Sequence, residues 1–591
     1  MEVHHHPDRG RSRRSDARQR VEPIARAGLS RAARECYRRA MAKRDECDVC
    51  VIGTGAGGGV MIQELTAAGF HVVALQRGPF LTAANFDDDE LRTVIRDEVF
   101  SPDQLETYRF DETSRTETGK FNMTANCVGG TMTHWAAWSW RFRPDDFKVL
   151  STEGPLAGAS LADWPIMYDE IEPFYERAEW DFGVSGDAAA NPFGAPRKKG
   201  YPNPAHPPRT SSARFAQAAK KLGYHPFPTP MAINSRSYDG RPECAYGGAC
   251  QQYGCQIHAK GTTLAVSIPR ALATKRLDLR PDTMAREITV GKDGRARSVR
   301  YLDSKRGEHE VFARHVMVAG NAIGTPHLLL MSRSGSFPHG LANGSGLVGR
   351  NLTFHHAAAV NFTIDEPALS FAALETHVAV DDLHASDAKR GFIRGGVVAD
   401  FNMLVKQPLA YAFLGFPGYP AKRTWGSDLK DYLRKFPHAV GTVAILEDLP
   451  MEANRVDLDP TVKDGYGVPV PRITHRQHAN DLAMNRWYTQ RLRDIADAAG
   501  AIDKWVPDAF AISERVAMKG SAHFHSTCRM GDDPQKSVVD KWCRSHEVPN
   551  LWIVDGSVFP TSAGYNPTLT ILANAYRVAD HFVGEAKRSS A

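Results

Sequence analysis

Cysteine is scarce, with nine in 591 residues. That is too few for a disulfide scaffold, so a reducing, cytoplasmic setting is expected. A periplasmic or membrane-associated protein carried by a partner subunit is the alternative. Long hydrophobic runs are missing too. No stretch of about 18 apolar residues occurs, so no transmembrane helix is expected. No apolar segment follows Arg13 and Arg14, so no export signal is legible. Charge of one sign is also missing: 73 Lys and Arg face 68 Asp and Glu, a net +5. This balance excludes a nucleic-acid binder. Much of the positive excess sits in a basic tail, residues 1–45, expected to be solvated.

What is present begins at Cys47, in CDVCVIGTGAGGGVMIQELTAAGFHVVALQRG. A short Val/Ile-rich run at 48–52 suits a buried parallel strand. Gly53, Gly55 and Gly58 then give G-x-G-x-x-G. A helix from about Gly58 to Ala68, closed by Gly69, and a second strand, HVVAL, follow. Strand, Gly turn, helix and strand together make a dinucleotide cradle, because a pyrophosphate must approach the backbone at a helix N-terminus. The second strand ordinarily ends in an acid that binds ribose hydroxyls. Here that place holds Gln76, whose amide both donates and accepts. Cys47 and Cys50 form C-x-x-C on a strand and point to opposite faces, which argues against a redox pair.

SAHFHSTCRMG at 521–531 places His523 and His525 two residues apart. If the segment is extended they share a face, so spacing alone does not choose between them. Cys528 and His546 complete no zinc pattern, and no metal is expected.

Further segments carry a resemblance. They are NCVGGTMTHWAAWSWRF at 126–142, VMVAGNAIGTPHLLLMS at 316–332, GLVGRNLTFH at 346–355 and VPNLWIVDGSVFPTSAGYNPTLTILANAYRVADHF near the end. In this order, from about residue 46 to about 585, they resemble the glucose–methanol–choline (GMC) oxidoreductases. Two segments, ADWPIMYDEIEPFYERAEWDFGVSG and LEDLPMEANRVDLDPTVKDGYG, look most like the branch of gluconate 2-dehydrogenase large subunits and FAD sugar dehydrogenases.

The resemblance implies an α/β, Rossmann-like FAD-binding domain assembled from separated segments (46–150, 244–355 and 516–591). An α+β substrate domain with an antiparallel sheet would come from 151–243 and 356–515. FAD would be held by Gly53, Gly55, Gly58, Gln76, Gly129, Gly130, Asp555 and Gly556. His134 matches the histidine that carries the flavin covalently in pyranose oxidases; a covalent link and simple packing beside Trp135 both stay open. The family register selects His523 as the base and Asn566 as its partner, in oxidation of a CH–OH group of a sugar, sugar acid or polyol by hydride transfer to flavin N5. Long-chain or aromatic alcohols are the alternative substrates, and a non-redox FAD lyase is a remoter reading. Full proton transfer from an alcohol of pKa about 15.7 to an imidazole near 6.5 would cost about 12 kcal/mol. The proton must therefore leave together with the hydride, or the oxyanion must be strongly stabilised. Cys244, Cys250 and Cys255 match part of an iron–sulfur site of some relatives, but Gly247 stands where a further thiol belongs, so plain thiols are favoured. Oxygen, a quinone or a cytochrome subunit are the candidate electron acceptors, and a small partner subunit is compatible.

Overall fold

The computed structural model describes residues 45–590, apart from 97, 100–103, 248–249 and 512–520. The expected basic tail, except its last residue, and the expected boundary between 515 and 516 lie outside the described residues.

The apolar run Glu46–Ile52 forms the strand at the centre of a seven-stranded mixed sheet. It pairs in parallel with Val72–Leu75 on one side and with Glu308–Val318 on the other. Leu277–Arg280 extends the sheet in parallel beyond Val72–Leu75. The long strand Glu308–Val318 divides its outer edge. Its first half takes an antiparallel hairpin, Met284–Val290 and Ala296–Leu302, and its second half takes Leu551–Ile553 in parallel. Strands buried on both faces read as continuous apolar runs, as Val49–Val51 and Val316–Val318 do. The helices Ala56–Ala67 and Thr568–Ser590 pack together beside this sheet. The first begins two residues before the expected start and ends at Ala67, with Gly69 in the left-handed region at φ +95.

A second sheet is antiparallel and six-stranded. Its order is Asp503–Trp505, His356–Thr363, Ala439–Leu446, Gly396–Asp400, Val378–Val380 and Phe227–Pro228. Side chains alternate between its faces. Ala358, Val360, Phe362, Ala444 and Leu446 meet the helices Thr210–Lys221 and Ala479–Ala498 in one apolar cluster. Ala357, Val443 and Ile445 face the opposite way, into a cavity. The fold is thus an α/β class, built on a largely parallel sheet, with an accompanying antiparallel-sheet region.

One small ribbon matters more than its size. Thr353–Phe354 pairs antiparallel with Phe524–His525, in the register Phe354 to Phe524. Continuing that register by one residue sets His355 opposite His523.

Candidate active site

A cavity of about 720 Å³ lies between the Gly turn of the first sheet and the inner face of the second. Gly53, Gly55, Gln76, Gly130, His134, Asp555 and Gly556 line it, as do His523 and Asn566. Gly58 and Gly129 do not form its wall. Gly58 packs on the turn, where a Cβ would lie 2.0 Å from the Gly53 carbonyl oxygen. Gly53 itself sits at φ +95, and a Cβ there would meet the Ala319 carbonyl oxygen at 2.3 Å. Gly55 is different: the nearest atom to a Cβ is the Gly130 Cα, at 3.9 Å. A side chain at 55 would enter the cavity instead of colliding with protein. The cradle therefore has the shape that close approach of a phosphate to backbone requires.

Thr54 joins the two glycine segments. Its hydroxyl donates to Gln76 Oε1 at 2.8 Å and accepts from the Gly129 N–H at 2.9 Å. The Thr54 N–H also donates to Gln76 Oε1, at 3.0 Å. Gln76 thus has its oxygen turned back to the turn, which no pattern in the sequence announced. Asp555 caps the short turn Gly556–Val558 by accepting from the Ser557 N–H at 2.8 Å, and its other oxygen accepts from the Thr325 hydroxyl at 2.6 Å. Burial raises its pKa.

At the other end, Asn566 Nδ2 lies 3.2 Å from His523 Nε2. The amide's direction is set by Trp140, whose Nε1–H donates to Asn566 Oδ1 at 3.1 Å. His523 Nδ1 lies 3.0 Å from His355 Nδ1, and His355 Nε2 lies 3.1 Å from the Ser562 carbonyl oxygen. These contacts assign the tautomers. A carbonyl only accepts, so His355 carries its proton on Nε2 and presents a lone pair at Nδ1. His523 must then carry its proton on Nδ1, which leaves a lone pair at Nε2, facing the cavity and the Asn566 amide. Burial pushes the His523 imidazole well below its ordinary value, helped by His355, and pushes His355 down to about 4. Both are neutral near pH 7. Neither His355 nor Trp140 was found from the sequence. The signal for His355 is the ribbon register, which needs the pairing partner to be known.

His525 takes no place in the cavity wall. It is fully buried, stacked on Phe559 with ring centroids 5.8 Å apart. His134 is buried beside the edge of Phe86, and burial, then Lys260 and Arg92, push its imidazole down to about 3. The loop with Cys244, Cys250 and Cys255 reaches this wall. Gln252 donates its N–H to the His134 carbonyl at 2.8 Å. Lys260 Nζ donates to the carbonyls of Trp135, Cys250 and Tyr253. Burial and the neighbouring Cys250 push the Cys244 thiol up to about 11.

Next to the site, among the described residues, His356, Asp448 and Asp481 bring possible metal ligands within reach of one another. Direct pairing already joins them, because His356 faces both carboxylates. His356 Nε2 lies 2.9 Å from Asp448 Oδ1, and His475 Nε2 lies 2.9 Å from Asp448 Oδ2. Burial would lower His356, but the Asp448 and Asp481 carboxylates raise it to about 10.

Models of the GMC oxidoreductase family match residues 114–357 and 450–575. The chain belongs to the GMC oxidoreductase family. It is 32% identical over 551 residues to 2-methyl-1,2-propanediol dehydrogenase of Mycolicibacterium austroafricanum, covering 91% of this chain and 95% of that one. It is 30% identical to the fructose dehydrogenase large subunit of Gluconobacter japonicus, with 92% and 98% covered. It is 28% identical to the gluconate 2-dehydrogenase flavoprotein of Pantoea cypripedii, with 90% and 92% covered. This GMC oxidoreductase is an FAD-dependent enzyme, and the glycine cradle with an open Gly55 fits that cofactor. No helix among the described residues is long and apolar enough to cross a membrane.

Proposed function

We propose that this enzyme oxidises a CH–OH group of a sugar, sugar acid or polyol, with His523 as the base and Asn566 as its partner. Gly53, Gly55, Gly58, Gln76, Gly129, Gly130, Asp555 and Gly556 would hold FAD, with His134 beside it. When bound, FAD supplies the two-electron acceptor for the hydride of the carbinol carbon. The observation that carries the reading is the oriented pair of His523 Nε2 and Asn566 Nδ2, 3.2 Å apart at the cavity wall.

The substrate hydroxyl donates to His523 Nε2, and the Asn566 amide N–H donates to the same oxygen. Because burial lowers the His523 pKa, a gap even larger than about nine units separates it from an alcohol. A free alkoxide is not a resting species. Nε2 takes the proton only as the carbinol carbon loses its hydride, and the imidazolium formed then stabilises the carbonyl oxygen together with Asn566. His355 supports that cation by holding the Nδ1 proton of His523 in place.

Anaerobic addition of sugars, sugar acids and polyols to the holoenzyme tests the reading. Bleaching of the oxidised flavin with at least one CH–OH donor is expected. Absence of bleaching, with cyanide released from a cyanohydrin, would replace oxidation with lyase chemistry. For His134, a covalent link and simple packing both fit. Acid precipitation separates them, since a yellow pellet means a bond and a yellow supernatant means none. Cys244, Cys250 and Cys255 are read as plain thiols, and iron analysis of the purified protein is expected to find none. Oxygen, a quinone and a cytochrome subunit all fit the second half-reaction, and the reoxidation rate with each distinguishes them. Cys127, Cys244, Cys250, Cys255, Cys528 and Cys543 are thiols outside any disulfide, which suits a reducing, cytoplasmic setting.

A further inference from the structure

Lys260 is 2% exposed and stands behind the cavity wall, not in it. Its Nζ donates to three carbonyls: Trp135 at 2.9 Å, Cys250 at 2.8 Å and Tyr253 at 2.7 Å. Three acceptors take three protons, so Lys260 is an ammonium and not a neutral amine. A buried cation ordinarily has an anion beside it. Among the described residues, no carboxylate comes within ion-pair distance of Lys260. Burial opposes its charge most, Cys250, Cys255 and Glu375 favour it, and Lys406 opposes it. Burial raises the Cys250 pKa, so that thiol stays neutral. Glu375 lies beyond ion-pair distance and is offset by Lys406. A full charge is thus held behind the wall, short of a counter-ion.

The peptide between Trp135 and Ala136 carries that charge forward. A trans peptide points its C=O and its N–H in opposite directions. With the Trp135 carbonyl on Lys260, the Ala136 N–H faces the other way, and Trp135 and Ala136 both line the cavity. Ala136 is partly exposed, and its N–H has no hydrogen-bond partner among the described residues. A charged donor at the carbonyl polarises the amide and strengthens its N–H as a donor. The indole of Trp135 fixes the arrangement, because its Nε1–H donates to the Gly261 carbonyl at 3.1 Å. The charge is felt at the wall itself: after burial, Lys260 is the largest influence that lowers the His134 imidazole.

We infer that Lys260 is the electrostatic partner of the reduced cofactor and raises the reduction potential of FAD. A hydride brings two electrons and one proton, so a neutral isoalloxazine that accepts it gains one negative charge. Lys260 favours that anion over the oxidised ring. It touches neither the cavity nor a reacting atom, and acts as a positioning residue, through space and through the Trp135–Ala136 peptide. This rests on the placement of FAD beside His134 proposed above and adds what sets its potential.

The test is a redox titration of the holoenzyme with a chemical reductant and a reference dye, which needs no substrate. Lys260→Gln removes the charge and keeps two N–H donors. It is expected to shift the two-electron equilibrium about tenfold toward the oxidised form, a potential about 30 mV lower. Sulfite, whose adduct at flavin N5 is also an anion, is expected to bind about tenfold more weakly. Lys260→Arg keeps the charge and is expected to stay within about threefold of the unmodified protein in both measurements. Unmoved potential and sulfite affinity in a Lys260→Gln protein of normal FAD content overturn the inference and leave Lys260 a tether of the 250–253 loop. A Lys260→Arg protein as low in potential as Lys260→Gln overturns it too, because packing and not charge would then matter. If Lys260→Gln fails to hold FAD, the unmodified enzyme decides. Its potential is expected to fall about 30 mV per pH unit between about pH 5.5 and 7.5, one proton per two electrons. A slope about twice as steep, two protons, means a neutral reduced ring and overturns the inference. Failure of every CH–OH donor to bleach the flavin would remove the proposed oxidation and leave these readings intact.

Discussion

His355 and His356 are neighbours in the chain and opposites in chemistry. Burial holds the first down to about 4, while two carboxylates raise the second to about 10. Both are almost wholly buried, so burial alone does not explain the difference. Consecutive residues of an extended chain point to opposite sides. His355 meets the His523 imidazole and the Ser562 carbonyl, and His356 meets Asp448 and Asp481. Two adjacent positions, His355 after the strand Thr353–Phe354 and His356 at the start of His356–Thr363, thus separate a neutral proton-handling region from a charged structural one. Asp448 binds the two together, because its Oδ2 accepts from the Phe354 N–H at 2.7 Å and its backbone exchanges hydrogen bonds with the Ser562 hydroxyl.

The largest effect is expected on the charged side. Asp448→Asn leaves the buried His356 cation short of its partner, and removing one member of a buried pair costs about 3–5 kcal/mol. Denaturant unfolding of the holoenzyme measures it. A double variant, Asp448→Asn with His356→Gln, is expected to recover part of the loss. Equal instability of the single and double variants would show that the pairing is not what holds this region.

On the neutral side, His523→Ala is expected to lower kcat about 100-fold or more, about 2.7 kcal/mol, with FAD content unchanged. Near-normal turnover would remove His523 from the chemistry. His355→Leu is expected to cost about tenfold in kcat, because His523 loses the group that fixes its tautomer. His355→Gln supplies an acceptor and a donor and is expected to restore most of the rate. If His355 only fills space, Leu and Gln would behave alike, and the pH profile of kcat/KM would not move in either.

Much of the first sheet was legible because its signals are local. The strand 48–52, the Gly turn and the following helix each depend on composition and glycine placement within a few residues. The pair His523 and Asn566 came from the family's register, and the structure sets the two side chains together. Residues that orient them did not come from either source. Trp140 is 426 positions from Asn566, and His355 is 168 positions from His523. Their roles depend on a strand pairing and on a side-chain amide's direction, neither of which leaves a periodic trace. Gln76 was legible as a departure from the usual acid, but its bond to Thr54 was not. The apolar wall was hidden for a related reason: Val443 and Ile445 alternate with residues of the other face, and both faces of that strand are apolar.

The smallest effect separates the two histidines by pH. His355 has a folded-state pKa of about 4, below its unfolded value near 6.5. As pH falls from about 6.5 toward 4, the unfolded chain takes up a proton that the folded one refuses, so stability is lost on the acid side. His356 has a folded-state pKa of about 10, above its unfolded value. Its contribution is fully present below about 6.5 and disappears as pH rises through 10. Each imidazole accounts for at most about 1.4 kcal/mol per pH unit. Unfolding free energy of the unmodified protein is therefore expected to be greatest near neutrality. His355→Gln should flatten the acid arm by up to one proton's slope and leave the alkaline arm where it was. A variant that flattened both arms equally would mean that the neutral and charged regions titrate as one.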